Sequence, residues 1–187
     1  MNRHRAIQII MDYITDEIVV SNIGDPSKEL FHVKDRSRNF YMLGSMGLAS
    51  SISLGIALSQ SDRVVCLDGD GSLLMNLGSL ATIANHSPKN LIIIALDNGA
   101  YGTTGNQASF TSGVTNLEEV ARACGFQCCY IVEDKKELAD IIQRILMDEV
   151  LSFIHVIIKP DDMKMDPISL EPITIKERFM AAIEKQD

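Results

Sequence analysis

Two short apolar runs, each stopped by an acid or amide and then by glycine, constrain this chain more than anything else in it. The first is Val64-Val65-Cys66-Leu67-Asp68-Gly69-Asp70-Gly71-Ser72, and the second is Leu91-Ile92-Ile93-Ile94-Ala95-Leu96-Asp97-Asn98-Gly99-Ala100-Tyr101-Gly102. Unbroken apolar runs of this length read as strands buried on both faces, the pattern of a parallel sheet. Leu73 to Ala84, between them, has a helical rhythm of apolar and small residues. The unit is therefore strand, glycine-rich turn, helix, strand. An open α/β sheet holds its ligand beyond the C-terminal ends of its strands, and here both ends carry an oxygen donor.

Those donors suit a magnesium diphosphate. Mg²⁺ takes hard oxygen ligands in an octahedron, commonly one or two from carboxylates with phosphate and water supplying the rest. Asp70 and Asn98 offer two side-chain oxygens from adjacent strands, and the carbonyl of Ala100 offers a third. Gly71 and Ser72 would open the following helix, with their N–H groups facing the anion at its positive end.

Composition narrows the function classes. The chain has 187 residues, enough for one α/β domain with a substantial core, and residues 1–187 read as that single domain. A formal net charge of −8 speaks against a nucleic-acid partner, and no Lys/Arg run suggests an anionic membrane. The N-terminus is no signal peptide, being interrupted by Asp12, Asp16 and Glu17. Tyr41 to Leu58 is apolar but rich in serine and glycine, which reads as a buried helix rather than a membrane span. Cys66, Cys124, Cys128 and Cys129 form no zinc spacing and read as reduced thiols, placing the protein in the cytoplasm.

Taken in order, Arg5 to Tyr13 reads as an amphipathic helix and Glu17 to Asn22 as the first strand. Lys28 to Val33 follows as a helix, and Lys34 to Asn39 as a polar loop whose Arg36 and Arg38 are either solvated or meet an anion or a partner. Met46 to Leu58 reads as a helix suited to close packing. The stretch 101–114 is a long glycine- and hydroxyl-rich loop; Asn106 and Gln107 in it fit either site contacts or turn chemistry. His32 and His86 sit near predicted helix ends, and His155 falls within a strand as a core residue. Leu117 to Cys124, capped by Asn116 and closed by Gly125, is a helix; Gln127 to Val132 is a strand, Lys135 to Met147 a helix, and Ser152 to Ile158 the last strand. Residues 159–173 read as an extended connector and 174–185 as a terminal helix. The expected fold is α/β, a doubly wound, mostly parallel six-stranded sheet with helices on both faces.

Asp68-Gly69-Asp70-Gly71-Ser72 also resembles the first motif of haloacid-dehalogenase-type phosphatases, with Asp68 as nucleophile and Asp70 as general acid. The later strand end, Leu96-Asp97-Asn98-Gly99, fits that family poorly. An EF-hand beginning at Asp68 fails because Leu73 stands where glycine is needed and Ser79 where glutamate is needed. A Walker loop fails for want of Gly-Lys-Ser/Thr.

Gly69-Asp70-Gly71, separated from Asn98 by residues 72 to 97, resembles the binding motif of thiamine-diphosphate (ThDP) enzymes. Upstream, Gly44-Ser45-Met46-Gly47 resembles the Gly-x-hydrophobic-Gly element of the ThDP-dependent decarboxylases. The resemblance implies that Gly44 and Met46 hold the aminopyrimidine and that the Met46 side chain wedges the cofactor into its bent shape, although Met46 alone would pass for a core methionine. It implies diphosphate contacts at Ile23, Gly24 and Asp25, and cofactor contacts at Gly69, Gly71, Ser72, Tyr101 and Gly102, with Asp70, Asn98 and Ala100 on the metal. Asp25 departs from the pattern, since an acid beside a diphosphate is unfavourable; Pro26-Ser27 simply opening a helix is the other reading.

Within that family, Ser21 to Gly24, Arg38 to Ala49 and Gly99 to Gly105 resemble the β-subunit group of the sulfopyruvate decarboxylases, with phosphonopyruvate decarboxylases as kin. This implies a Mg- and ThDP-dependent lyase acting on a small anionic 2-oxoacid, converting 3-sulfopyruvate to sulfoacetaldehyde and CO2 in coenzyme M biosynthesis. The glutamate that activates the cofactor belongs, in the family, to a separate pyrimidine-binding domain. No segment here resembles it, so an α subunit is expected to supply it and no catalytic residue is expected in this chain. The cysteine pattern leaves no iron–sulfur cluster of the ThDP oxidoreductase type.

Overall fold

The structure, a computed structural model, describes residues 1–160 and 165–184. Helices and strands alternate from the start: α1 (Arg3–Tyr13), β1 (Ile18–Ser21), α2 (Asp25–Val33), β2 (Asn39–Tyr41), α3 (Ala49–Ser59) and β3 (Val64–Gly69). Two short helices, α4 (Asp70–Met75) and α5 (Gly78–His86), lead to β4 (Leu91–Asp97). A small hairpin of β5 (Ala100–Tyr101) and β6 (Gln107–Ala108) and a 3-10 turn (Phe110–Ser112) follow. The chain closes with α6 (Leu117–Cys124), β7 (Cys128–Val132), α7 (Lys135–Met147), β8 (Ser152–Ile157) and α8 (Pro172–Ile183).

Six strands form one sheet in the order β2-β1-β3-β4-β8-β7, and every neighbouring pair is parallel. Chain order runs one way from β1 to β2 and the other way from β3 onward, so the direction reverses between β1 and β3. The crevice above such a reversal is where doubly wound sheets bind ligands. The register pairs Cys66 with Ile93 and Gly69 with Leu96, which brings Asp70 and Asn98 to neighbouring strand tips.

The period of two along each strand divides the core. Val65, Leu67, Ile92 and Ile94 pack with Ile7 and Ile10 of α1, Leu30 of α2 and Ile142 of α7. Val64, Cys66, Ile93 and Ala95 pack on the opposite face with Leu54 of α3, Leu80 of α5 and Ala121 of α6. Both faces are thus covered, as a parallel sheet requires. Helix α8 joins both clusters, with Ile175 in the first and Phe179 and Ile183 in the second. No helix among the described residues is long and apolar enough to cross a membrane.

The structure corrects four readings of the sequence. The expected helix over Leu73 to Ala84 is two helices. Asn76 leaves the helical region at φ −143°, and its side-chain amide donates instead to Gly47 O at 3.0 Å and to Ser51 Oγ. Tertiary hydrogen bonds here outcompete helix continuation. The expected helix over Met46 to Leu58 starts only at Ala49, because Ser45 and Gly47 have φ of 62° and 92°, which no right-handed helix accommodates. The supposed polar loop ends at an unexpected strand, β2, which starts at Asn39 and pairs to β1 through Val19 with Asn39 and Ser21 with Tyr41. Its arginines are structural braces: Arg36 donates to the carbonyls of Glu17 and Thr15, and Arg38 to Asp62. Finally, the long loop after Asn98 carries the β5–β6 hairpin. Part of the expected connector (161–164) and the expected last turn, at Lys185, lie outside the described residues.

Candidate cofactor site

A cleft opens at the switch point, above the tips of β1, β3 and β4. The glycine turn after β3 forms its floor, with Gly69, Asp70, Gly71 and Ser72 all in its wall. Asn98, Ala100, Tyr101 and Gly102 line the side contributed by β4 and the hairpin. Ile23 and Gly24 from the end of β1, and Met46 from the loop before α3, complete it. Gly44 and Asp25, the remaining expected contacts, lie outside this lining; Gly44 is exposed on the same loop as Met46.

The two expected motifs are joined physically. Ser72, fully buried in α4, accepts a hydrogen bond from Gly47 N at 3.0 Å, and the Asn76 amide reaches Gly47 O. The loop that positions Met46 is therefore fastened to the helix that follows the Gly69-Asp70-Gly71 turn. Gly71 has a role the sequence did not suggest. A Cβ there would sit 2.4 Å from Cε1 of Tyr101, so the missing side chain makes room for the tyrosine ring. Helix α4 begins at Asp70 rather than at Gly71, with Gly69 as its N-cap.

Asp70 is 3% exposed. Burial pushes its carboxyl above the usual range against hydrogen bonding from Ser109, with the nearby Asp97 charge adding to the rise. Ser109 Oγ donates to Asp70 Oδ2, and Thr111 Oγ1 lies 3.3 Å from the same oxygen. Both hydroxyl contacts thus fall on Oδ2. Asn98 Oδ1 accepts the Ala100 N–H at 3.2 Å, an Asx turn that leaves one lone pair. Asp25 stands at the start of α2, paired with Arg3 Nη2 and Lys28 Nζ at 3.4 Å each, so its charge is compensated by neighbouring cations, Arg3 among them at the cleft wall. Arg3, held by Glu29, reaches the cleft wall. Thr103 and Thr104 also line it, whereas Asn106 and Gln107 are exposed outside it.

Several residues near this site escaped the sequence reading. Asn22, at the end of β1, lines the cleft with a buried Oδ1 that has no hydrogen-bond partner. Behind Asp70, His155 Nε2 lies 2.6 Å from Asp97 Oδ2, and Asp97 Oδ1 accepts from Gly99 N and from Thr111 Oγ1, both at 2.8 Å. Burial raises the Asp97 carboxyl, but the hydrogen bonds from His155, Thr111 and Gly99 outweigh it and hold the group below the ordinary value.

The donor set fits a magnesium-held diphosphate. Among the described residues no three His, Cys, Asp or Glu side chains cluster as a metal cage. One carboxylate, one amide oxygen and one carbonyl at adjacent strand tips are what Mg²⁺ takes when phosphates and water fill its other positions. Two carboxylates also share the hydroxyl of Thr111, a concentration of buried negative charge that a cation would relieve. The phosphatase reading fails here. Asp68 is fully buried, with Oδ1 accepting from Gly69 N and Oδ2 sealed in without a partner. Burial raises its carboxyl to about 6, and no phosphoester could reach it.

A doubly wound parallel sheet with a carboxylate and an amide at adjacent strand tips, above a glycine floor, marks an α/β domain of the kind that binds phosphate cofactors at its switch point. More specifically, residues 22–156 match the thiamine pyrophosphate enzyme, C-terminal TPP binding domain, and the chain belongs to that family. It is 47% identical over 185 residues to the sulfopyruvate decarboxylase subunit beta of Methanococcus maripaludis, covering 99% of each chain. It is 52% identical over 169 residues to the protein of the same name from Methanocaldococcus jannaschii, covering 90% of this chain and 89% of that one. Among solved structures it resembles the thiamine diphosphate-dependent 4-hydroxybenzoylformate decarboxylase of Rhodococcus jostii RHA1, with a TM-score of 0.73 and 18% identity over 87% of this chain and 33% of the other. That likeness concerns the fold.

Proposed function

We propose that this chain is the cofactor-holding β subunit of a ThDP- and Mg-dependent 2-oxoacid decarboxylase that converts 3-sulfopyruvate to sulfoacetaldehyde and CO2, the reaction of coenzyme M biosynthesis. One observation carries the reading: end-to-end similarity to chains named sulfopyruvate decarboxylase subunit beta, in a chain whose cleft gathers the metal-type donors Asp70, Asn98 and Ala100. Bound ThDP supplies the nucleophilic carbon and the electron sink for loss of CO2. This chain's residues do the holding. Asp70, Asn98 and the Ala100 carbonyl take the magnesium ion. Gly24, Gly69, Gly71, Ser72 and Gly102 let backbone approach the diphosphate, with Ile23 and Tyr101 packing beside it. Met46 sets the bend, with Gly44 on the same loop and Asp25 at the rim.

The activating glutamate arrives on a pyrimidine-binding α subunit, in keeping with the relatives' designation as one subunit of an enzyme. The four free thiols suit a reducing cytoplasm. The test is to assemble the chain with its partner, titrate Mg²⁺ and ThDP, and follow CO2 release from a panel of 3-substituted pyruvates. The expected result is Mg-dependent ThDP uptake with 3-sulfopyruvate preferred; preference for phosphonopyruvate would move the assignment to its kin, and no CO2 from any 2-oxoacid would overturn it. Asp70→Asn should weaken Mg-assisted ThDP uptake beyond the roughly 10- to 100-fold that loss of an outer-shell contact costs. Unchanged uptake in calorimetry would remove Asp70 from the metal.

A further inference from the structure

A chain of side-chain contacts with no local sequence signal runs from Asp70 to His155. The β5–β6 hairpin turns the chain back on itself, and Ser109 N donates to Gly99 O at 2.9 Å. That contact seats the following 3-10 turn against the tips of β3 and β4, and it brings Ser109 and Thr111 over Asp70. Ser109 Oγ meets Asp70 Oδ2; Thr111 Oγ1 lies 2.8 Å from Ser109 Oγ and 2.8 Å from Asp97 Oδ1. At the far end, His155 of β8 anchors Asp97 through Nε2. Since the ionised Asp97 only accepts, the His155 contact requires Nε2 to carry the proton, with Nδ1 buried and unpartnered.

The proton count shows what the relay does. Two hydroxyls have two protons for four oxygen contacts: Ser109 with Asp70, Thr111 with Asp97, Thr111 with Asp70, and Ser109 with Thr111. Ser109 gives its proton to Asp70 Oδ2, and Thr111 shares its single proton between Asp97 Oδ1 at 2.8 Å, the nearer acceptor, and Asp70 Oδ2 at 3.3 Å. Both hydroxyls act on the one oxygen, Oδ2, and so limit rotation of the carboxylate that lines the cleft.

We propose that Ser109 and Thr111, backed by Asp97 and His155, are positioning residues that orient the Asp70 carboxylate toward a divalent cation in the cleft. The inference rests on the proposed function, since it needs a cation at Asp70. Groups that hydrogen-bond a metal's ligands set ligand orientation, and their loss weakens metal affinity about 10- to 100-fold. The relay crosses three strands and the hairpin, so the cation site is tied to the sheet core and not only to its own loop.

The experiment uses the chain assembled with its partner subunit and measures ThDP uptake by calorimetry over a Mg²⁺ series, alongside the melting temperature without metal or cofactor. Thr111→Val keeps the shape and removes the hydroxyl. It should raise the Mg²⁺ concentration for half-maximal ThDP uptake by roughly tenfold, while Thr111→Ser restores the wild-type value. The metal-free melting temperature of Thr111→Ser should match the wild type. If Thr111→Val does not fold, Ser109→Ala gives the same readout from the other hydroxyl. A wild-type Mg²⁺ requirement in both Thr111→Val and Ser109→Ala, with the wild-type complex itself Mg-dependent, overturns the positioning role. A wild-type complex that takes up ThDP with no dependence on Mg²⁺ overturns the functional reading itself, and the relay's role with it.

Discussion

At the scale of single residues, the least conspicuous position in the motif, Gly71, has the most explicit steric demand. A Cβ there would fall 2.4 Å from Cε1 and 2.7 Å from Cδ1 of Tyr101, well inside van der Waals contact. Gly71→Ala should displace the ring at a cost of about 1–3 kcal/mol, the range for overpacking. Because the penalty is shared, Gly71→Ala should cost less once Tyr101→Ala has removed the ring, and denaturant midpoints of the two single variants and the double would show the coupling. Strict additivity would mean the ring does not lie on Gly71. The sequence exposed Asp70 and Asn98 because strand ends and glycine turns are local patterns. It hid Ser109, Thr111 and His155 because a hydroxyl in a polar loop and a histidine in an apolar strand carry no periodic signal. Asp97 was visible only as one more acid at a strand end; its link to His155 comes from the β4–β8 pairing, which the local sequence does not encode.

Among the elements, the strands and the helices with good caps were readable, and those made by tertiary pairing were not. Asn116 and Asp134 cap α6 and α7 through their side chains, so those helices stood where expected. The three-residue β2 is a strand only because β1 is beside it, and its charged flanks obscure the pattern. Helix α8 is held by a tie across the chain. Asp35 accepts from both Nη atoms of Arg178, and from Tyr41 Oη at 2.7 Å. The Arg178 hydrogen bond, despite some desolvation, holds the Asp35 carboxyl below its ordinary 3.8. A lowered native pKa means the folded state prefers the ionised acid. The stabilisation is fully present above the unfolded value and disappears as pH falls through the native one. The side chains are 23% and 36% exposed, so the pair contributes no more than about 1 kcal/mol. Asp35→Asn should therefore melt earlier than wild type by a constant margin between about pH 5 and 7, and that margin should close below the ordinary carboxylate range. A margin that persists in strong acid would assign the loss to packing instead of charge.

For the whole molecule, the question is why a chain with both sheet faces covered would need a second one. The sheet is sealed, but the rim of its cleft is not. Leu43 and Phe110 are 55% and 75% exposed, and Leu48 and Met75 join them on the segments bordering the Met46 loop and the 3-10 turn. Scattered exposed leucines need no explanation, whereas apolar residues exposed on the segments that flank cleft-lining Met46 and Asp70-bound Ser109 offer a partner a surface to cover. If the α subunit closes over this rim, replacing Leu43 and Phe110 by aspartate together should leave the isolated chain's melting temperature close to wild type, since neither side chain is buried in the core. The same double variant should require at least tenfold more partner to reach half-maximal CO2 release, because two charges would have to be desolvated on docking. Sedimentation of the mixed chains would separate the outcomes. Loss of the heteromeric species with an unchanged melt places the partner on the cleft rim; an intact complex with normal activity would place it elsewhere.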